Sequence, residues 1–337
     1  MRDRLRMAAI GMGFGFHESR HMMTVPEVEL IAVCDTDRAR VDKASRELGV
    51  PAVYDYEAVL NDPRAEAVAI FTPPHLHGTH MIQAAEAGKH IVCTKPLERY
   101  VTQAAEALAA CRKAGVKVIS NSPPPRAVGV LQVMKSALDD GVIGPPVLGF
   151  AEMTASYGPT PTDNTWYSDP ELCPLAPLFR IGCYKLNTFS YLLGPASEVF
   201  AFEARRVTER PTVDTVLAQV RYQNGALVQV QSSLCAGGRA CGPSIQIGGP
   251  EGTLAFALDS DDELVLRKDN GDRVLARAGD IGDGSSGYDY GHFLSLIRQD
   301  KEPEISLSVA LDALAVFEAA VESVRTGRPA AVVRPEA

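Results

Sequence analysis

The stretch Leu5-Arg6-Met7-Ala8-Ala9-Ile10-Gly11-Met12-Gly13-Phe14-Gly15-Phe16 decides how the rest of the chain is read. Leu5 to Ile10 is a short apolar run with the composition of a buried strand. A glycine-rich turn, Gly11 to Gly15, follows it, and His17 to Thr24 reads as a short helix. Glycines at such a turn let the backbone bend tightly and approach a pyrophosphate at the helix N-terminus. The third glycine of a G-x-G-x-x-G pattern falls at position 16, where the chain has Phe16. Helix and strand are therefore expected to approach less closely there, with Gly15 relieving part of the crowding. Asp35 closes the next strand, Glu29 to Cys34, 20 residues beyond Gly15. A carboxylate at that point accepts hydrogen bonds from a ribose 2′-hydroxyl and repels a 2′-phosphate, which favours NAD over NADP as the cofactor. Arg38 lies nearby, either softening that preference or standing as a solvated helix residue.

Outward from this stretch the alternation continues. Asp37 to Leu48 has a charged helical face and stops at Gly49. Ala67 to Phe71, His90 to Cys93 and Lys117 to Ser120 are further short apolar runs, separated by helical segments at His77 to Ala87 and Thr102 to Ala114 that end in Gly88 and Gly115. Such βαβ alternation predicts an α/β fold with a doubly wound parallel sheet. Ligands of these sheets bind outside the carboxyl ends of the strands, so Lys95 in Thr94-Lys95-Pro96, directly after a strand, is expected to face a ligand crevice. Pro96 restrains the lysine backbone. A partly desolvated lysine releases its proton more easily and serves as a general acid or base, while the alternative is a surface Lys-Pro turn.

The alternation breaks at Pro123-Pro124-Pro125, which places a domain boundary between 1–123, a dinucleotide-binding domain, and 124–337. Ala127 to Asp140 reads as a helix ended by Gly141. Strand-like runs follow at Glu198 to Arg206, Thr215 to Tyr222, Ala226 to Leu234, Ser244 to Ile247, Thr253 to Leu258, Glu263 to Arg267 and Arg273 to Ala276, with hairpin turns at Asn224-Gly225 and Asp269-Asn270-Gly271. This series predicts an α+β second domain with a largely antiparallel sheet, one face of which is a candidate subunit interface.

Composition agrees with two domains, since 337 residues at 46% hydrophobic content can bury a sizeable core. A formal net charge of -9 argues against nucleic acid or an anionic membrane as the main partner. With no apolar run long enough to span a bilayer and no signal-peptide core, a cytoplasmic protein is expected. The seven cysteines include no C-x-x-C pair and read as reduced thiols. His75, His77 and His80 lie close together without a supporting carboxylate pattern, so no metal is expected.

Four stretches carry a resemblance: Ala69-Ile70-Phe71-Thr72-Pro73-Pro74-His75-Leu76-His77, Ala87-Gly88-Lys89-His90, Thr94-Lys95-Pro96, and Gly182-Cys183-Tyr184-Lys185-Leu186-Asn187. In this order they resemble the Gfo/Idh/MocA oxidoreductases, which include glucose-fructose oxidoreductase and inositol dehydrogenase. The resemblance covers nearly the whole chain. It implies an N-terminal Rossmann domain, a C-terminal substrate-binding and oligomerisation domain with a large open sheet, a nicotinamide cofactor, a sugar-like or polyol substrate, and homodimers or homotetramers. It implies cofactor contacts from Gly11, Gly13, Phe14, Gly15, Phe16, Asp35, Thr72, Pro73, His77 and Lys95. Lys95 matches the lysine of the family's Glu-Lys-Pro motif, with Thr94 in place of the glutamate. His77 matches the histidine of a Thr-Pro-x-x-x-His stretch near cofactor and substrate, or else caps or packs a helix.

The second-domain motif of the family, Asp-x-Gly-x-His-x-x-Asp, reads here Arg180-Ile181-Gly182-Cys183-Tyr184-Lys185-Leu186-Asn187. Tyr184 stands at the acid/base position, where a phenol near a cationic lysine can exchange a proton with a substrate hydroxyl. Arg180 replaces a carboxylate by a bidentate anion donor, which points to an anionic substrate or to a structural ion pair. Asn187 would orient the substrate. Lys185, one residue past Tyr184, either enters the site as well or, as expected first, stands on a solvated helix face. Ser156 to Pro177, with Tyr157, Trp166 and Tyr167, reads as a lid with aromatic faces for a sugar ring, or as an interface arm. Tyr288, Tyr290 and His292, after Gly282 to Gly287, are candidates to close the same crevice.

These readings converge on a dehydrogenase or reductase acting on a CH–OH group of a sugar, cyclitol or sugar acid. Two alternatives stand beside it: an epimerase or eliminase that oxidises its substrate transiently with tightly bound NAD, and a nucleotide-binding sensor or scaffold without catalysis. A metal-dependent hydrolase built on the His75 to His80 cluster is a third, which would need a bound metal.

Overall fold

The computed structural model describes residues 4–122, 125–156, 166–236, 244–257, 263–277, 280 and 288–335. Tyr157 and the segment 282–287 lie outside these residues. The chain divides into two units, Met1–Asn121 with Gly287–Leu307 and Pro335–Ala337, and Ser122–Ser286 with Ser308–Arg334. A late segment thus clusters with the N-terminal unit.

In the first unit, strands β1 (Leu5–Ile10), β2 (Val28–Cys34), β3 (Ala52–Val53), β4 (Ala67–Ile70), β5 (His90–Cys93) and β6 (Val118–Ser120) form a parallel sheet of order β3-β2-β1-β4-β5-β6. The order reverses direction between β1 and β4, the switch point at which doubly wound sheets bind ligands. β4 is buried along its whole length, as expected of a central parallel strand covered on both faces. Helices α1 (Phe14–Met22), α2 (Arg38–Leu48), α3 (Tyr56–Leu60), α4 (His77–Glu86) and α5 (Val101–Ala114) connect the strands. Helix α1 begins at Phe14 rather than at His17, because Gly13 serves as its N-cap and draws Phe14 to Phe16 into the first turn. Asp37 caps α2 by accepting from the Arg40 N–H at 3.1 Å, and Gly49 ends the helix at φ 69°.

The late segment completes this unit's core. Tyr288 and Tyr290 are buried, with the Tyr288 ring 5.8 Å from that of Phe71 and the Tyr290 ring 6.0 Å from that of His21. Lys117 pairs with Asp300 at 2.9 Å and Glu302 at 2.8 Å. His292, near the start of a helix at Tyr290–Gln299, is hydrogen-bonded to Glu304 at 2.9 Å. The expectation that these residues close a crevice is therefore corrected for the two tyrosines, which are core residues.

The second unit carries strands β7 (Leu148–Thr154), β8 (Ala196–Ala204), β9 (Thr215–Tyr222), β10 (Leu227–Ser233), β11 (Ser244–Gly249), β12 (Gly252–Ala257), β13 (Glu263–Lys268), β14 (Gly271–Arg277) and β15 (Ala330–Ala331). Their order is β14-β13-β12-β11-β7-β10-β9-β8-β15, antiparallel throughout except between β7 and β10. The α/β plus mostly antiparallel architecture is the one expected. One face of the sheet, including Val199, Val216, Val220, Val228 and Val230, is buried. Helices α6 (Pro125–Asp139), α7 (Cys183–Leu193) and α8 (Ser308–Thr326) belong to this unit. Helix α8 packs on β8 and α7, and the rings of Phe179 and Phe317 stack at 4.7 Å. The other face exposes Leu148, Phe202, Leu217 and Leu227, which share one side in the strand register. Among the described residues, no helix is long and apolar enough to cross a membrane.

Candidate functional site

Parallel register brings four chemically distinct segments to one edge of the first sheet. Ile10 pairs with Cys34 and with Ile70, and Ile70 pairs with Cys93, so the strands end together. The residues that follow them, Gly11, Asp35, Thr72 and Lys95, leave the sheet on the same side. Gly11 has φ 90° and donates its N–H to the Cys34 carbonyl at 2.8 Å. A Cβ there would lie 2.9 Å from the backbone of Phe71 and Thr72, so any other residue would push the turn off the strand end. At Gly13 nothing lies within 4 Å of such a Cβ, and no side chain caps the helix that starts there. An open helix N-terminus beside a glycine turn fits a pyrophosphate.

The glycine expected at position 16 is replaced in function by its neighbour. A Cβ on Gly15 would lie 2.8 Å from the Phe71 ring, so the tight contact with the strand end is made one residue early. Phe16 packs at the edge of the unit's core with the Arg20 guanidinium 5.0 Å from its ring centre. Asp35 is held by backbone donors, accepting from the Met12 N–H at 2.7 Å and the Asp37 N–H at 2.9 Å. Arg40 stands 3.6 Å from this carboxylate, whereas Arg38 lies 4.3 Å over the Tyr54 ring. The cation beside Asp35 is thus Arg40 and not the Arg38 that sequence proximity suggested.

Two buried side chains tie the loops around Lys95 to α4. His77 is fully buried, with Nε2 2.7 Å from the Thr72 carbonyl oxygen and Nδ1 3.0 and 3.2 Å from those of Pro96 and Leu97. Carbonyl oxygens only accept, so a neutral ring donates to one side and serves both only when doubly protonated. Burial pushes the ring's pKa down to about 4, against the upward pull of these three carbonyls. Glu98 is also fully buried; its carboxylate accepts from the Gly78 N–H at 2.6 Å and the Arg99 N–H at 2.5 Å, capping the start of α4. Burial raises the Glu98 pKa, and the backbone donors oppose that rise. Thr72 is held a second time, its hydroxyl 3.1 Å from His80 Nδ1. Lys95 is half-buried between these anchors, with the preceding Thr94 N–H donating to the Ile70 carbonyl at 3.0 Å and a cis peptide bond to Pro96 following. Glu98 escaped the sequence reading because no spacing rule marks a carboxylate three residues past a lysine as a helix cap. Among the described residues, no three His, Cys, Asp or Glu side chains are grouped to hold a metal ion.

The second unit gathers its candidates by the same device of shared strand ends. Ser233 pairs with Thr154 and Thr215, and Thr215 with Ala204, so β7, β8 and β10 end where β9 begins. A π-helical turn, Leu178–Gly182, precedes α7 at this edge. Such turns are uncommon and recur at functional sites. A Cβ on Gly182 would run into the Ser232 hydroxyl and lie 2.8 Å from Leu178, so the glycine seats the turn on β10. Arg180, within the turn, places its guanidinium 4.4 Å from the Tyr167 ring centre. The Arg210 guanidinium lies 5.0 Å from the same ring. Trp166 meets Tyr167 edge-on at 5.5 Å and Phe179 at 6.2 Å. Arg210 had no sequence signal, since it sits in a loop whose shape comes from Asp214 accepting the N–H groups of Arg206, Val207 and Thr208.

Of the remaining predicted residues, Tyr184 is half-buried on the first turn of α7. Asn187 is buried, its amide donates to the Cys183 carbonyl at 2.8 Å, and its Oδ1 has no hydrogen-bond partner among the described residues. Lys185 is only 2% exposed, which corrects the expectation of a solvated position. Helix α7 is buried on most of its circumference, so few of its positions are free to carry a solvated charge.

Comparison with known proteins matches both units. Residues 5–122 match the model of an oxidoreductase family with an NAD-binding Rossmann fold, and residues 131–255 match a Gfo/Idh/MocA C-terminal domain. Levoglucosan dehydrogenase of Pseudarthrobacter phenanthrenivorans is 28% identical over 279 residues, 74% of this chain and 70% of that protein. D-apiose dehydrogenase of Paraburkholderia graminis is 25% identical over 342 residues, 96% of this chain and 89% of that protein. Among solved structures, an NAD binding oxidoreductase from Klebsiella pneumoniae has a TM-score of 0.82 at 27% identity, covering 98% of this chain and 100% of that one.

Proposed function

The chain belongs to the Gfo/Idh/MocA oxidoreductases, and from that premise we propose that it transfers a hydride between NAD and a secondary alcohol, or the corresponding ketone, of a sugar, cyclitol or sugar acid. The observation that carries this reading is the common edge at which Gly11, Asp35, Thr72 and Lys95 leave the parallel sheet. The Gly11 to Phe16 turn and the start of α1 take the pyrophosphate, and Asp35 takes the ribose hydroxyls, with Thr72, Pro73 and the loop that His77 braces completing the cofactor contacts. NAD, when bound, supplies the hydride acceptor. Loss of a hydride from carbon leaves a hydroxyl proton to be removed, and Lys95 and Tyr184 are the groups that accept and relay it. Arg180, Asn187 and Trp166 orient the substrate, and positioning is their main contribution. The sugar class is supported by relatives named for levoglucosan and D-apiose. Asp35 disfavours a 2′-phosphate, a preference that the neighbouring Arg40 moderates.

A screen of polyols, aldoses, uronates and keto acids with NAD and with NADP, followed by cofactor absorbance, tests the proposal. Reduction of NAD by at least one sugar-like alcohol, with slower use of NADP, is the expected result. No cofactor turnover with any of them would overturn it. The exposed Leu148, Phe202, Leu217 and Leu227 on the outer face of the second sheet support self-association through that face. Sedimentation of the parent and of a Leu217→Arg variant would read it, a monomeric parent counting against it.

A further inference from the structure

We propose that Asn121 binds the carboxamide of the nicotinamide, completing the cofactor site at the end of β6. This deepens the dehydrogenase reading and rests on it for the identity of the cofactor. Three observations carry it. First, β5 and β6 end level. Val92 pairs with Ile119 and Cys93 with Ser120, so Asn121 leaves the sheet at the level of Thr94, the residue before Lys95. Second, the sheet order β2-β1-β4-β5-β6 lines up Asp35, the Gly11 to Phe16 turn, Thr72, Lys95 and Asn121 along one edge. Neighbouring strands lie about 5 Å apart, so the end of β6 stands about 15 Å from the glycine turn, on the side away from Asp35. With the ribose hydroxyls at Asp35, the pyrophosphate at the turn and the reacting ring carbon at Lys95, the polar group left to place is the carboxamide, carried on the next ring carbon. Asn121 is a polar side chain one strand beyond Lys95 in that direction. Third, Asn121 carries an acceptor that the free chain does not use. The residue is 8% exposed, and its Oδ1, shielded from solvent, accepts no hydrogen bond among the described residues. A shielded carbonyl oxygen without a donor destabilises the fold, and a leucine of similar size would not. A side-chain amide matches another primary amide, each offering one carbonyl acceptor and one N–H2 donor group. The terminal torsion of an asparagine is broad, so the group turns toward a ligand at the strand ends at little rotamer cost. A carboxamide held in this way fixes which face of the nicotinamide meets the substrate, a contribution of positioning and not of proton transfer.

Calorimetric titration of the full chain with three ligands tests the assignment without turnover: NAD, ADP-ribose, which lacks the nicotinamide, and 3-acetylpyridine adenine dinucleotide, in which a methyl ketone replaces the carboxamide. The parent is expected to bind NAD about tenfold more tightly than the acetylpyridine dinucleotide, the scale of one hydrogen bond. In Asn121→Leu that preference disappears and NAD affinity falls by about the same factor. Affinity for ADP-ribose stays parental, and the melting temperature of the free protein does not fall. Loss of NAD and ADP-ribose affinity in equal measure would make Asn121 a structural residue and overturn the proposal. Parental NAD affinity in the variant overturns it as well, and if the KM for a sugar substrate rises at the same time, the side chain serves the substrate instead. Should Asn121→Leu fail to fold, the parent and Asn121→Ser decide. Equal parental affinity for the two dinucleotides, or a preference that the serine variant keeps in full, overturns the assignment. A parent that binds NAD and ADP-ribose, with no effect of the substitution, removes this assignment and leaves the dehydrogenase reading standing. A parent that binds neither removes the dehydrogenase reading, and this assignment with it.

Discussion

The two sheet edges that carry the candidate residues are built by opposite means. At the first, polar groups are held by backbone: Asp35 by the Met12 and Asp37 N–H groups, His77 beside three carbonyls, Glu98 by the Gly78 and Arg99 N–H groups. At the second, backbone N–H groups hold only Asp214, and the candidate side chains meet one another, with Arg180, Arg210 and Trp166 arranged around Tyr167. A backbone-held edge suits a ligand whose shape does not vary, as a dinucleotide's does not. An edge made of rings and forks can be altered by single substitutions without disturbing the sheet beneath it, which suits a substrate that differs from one family member to another.

The largest test of this contrast is Lys95→Met, which removes a proposed proton-transfer group from the backbone-held edge. Turnover of an accepted substrate should drop by about a thousandfold with little change in melting temperature, because the loop around it is fixed by His77 and Glu98 instead. Near-parental turnover would deny Lys95 its role.

Acidification addresses the anchors themselves. The His77 pKa is lowered on folding, so the unfolded chain binds a proton between pH 6.5 and about 4 that the native state does not. Stability should therefore fall as pH falls through that window, by about 3 kcal/mol from this group alone. Glu98, with its raised pKa, acts in the opposite sense, and the pKa of nearby His80 is lowered by burial. The diagnostic quantity is thus the difference in urea-unfolding profiles between the parent and His77→Gln, whose dependence on pH should be shallower. Parallel profiles would mean that the histidine is not held neutral.

A pair of glycine variants separates fold from ligand at the same edge. Gly11→Ala should cost about 2 kcal/mol, since it combines a positive φ with a clash against the Phe71–Thr72 backbone. Gly13→Ala meets nothing and should leave the melting temperature in place while weakening calorimetric NAD binding. If Gly13→Ala bound NAD as the parent does, the turn would not be the pyrophosphate site. The smallest effect is expected at the other edge, where Tyr167→Leu removes the ring beneath two cations at a cost of about 1 kcal/mol in unfolding free energy. A loss several times larger would show that the second edge is as structural as the first.

Legibility in the sequence follows the same division. β1, β5 and β9 run over the residues that apolar patterning assigns to them, and the glycine turn, Asp35 and Lys95 all fall at strand ends. β7 was harder to read because Gly149 interrupts it. The glycine is there for packing, since a Cβ would lie 2.7 Å from Val228 and 3.1 Å from Phe189. Helix α8 has apolar residues at helical spacing, among them Ala313, Phe317 and Ala320, but nothing local shows that it packs on β8 and α7. Tyr288 and Tyr290 read as candidates to close a crevice after a glycine-rich loop and are core residues, because their partners Phe71 and His21 lie more than 200 residues away in the chain.

By itself the sequence determined the βαβ half, the glycine turn with its carboxylate, the position of Lys95 and the antiparallel character of the second half. These depend on φ preferences, side-chain periodicity and neighbours a few residues apart. Tertiary structure alone decided that Glu98 caps α4, that Arg40 and not Arg38 meets Asp35, that Lys185 is buried, and that Arg210 joins Arg180 at Tyr167. Each of these depends on which side chain a distant segment delivers, and local chemistry carries no record of that delivery.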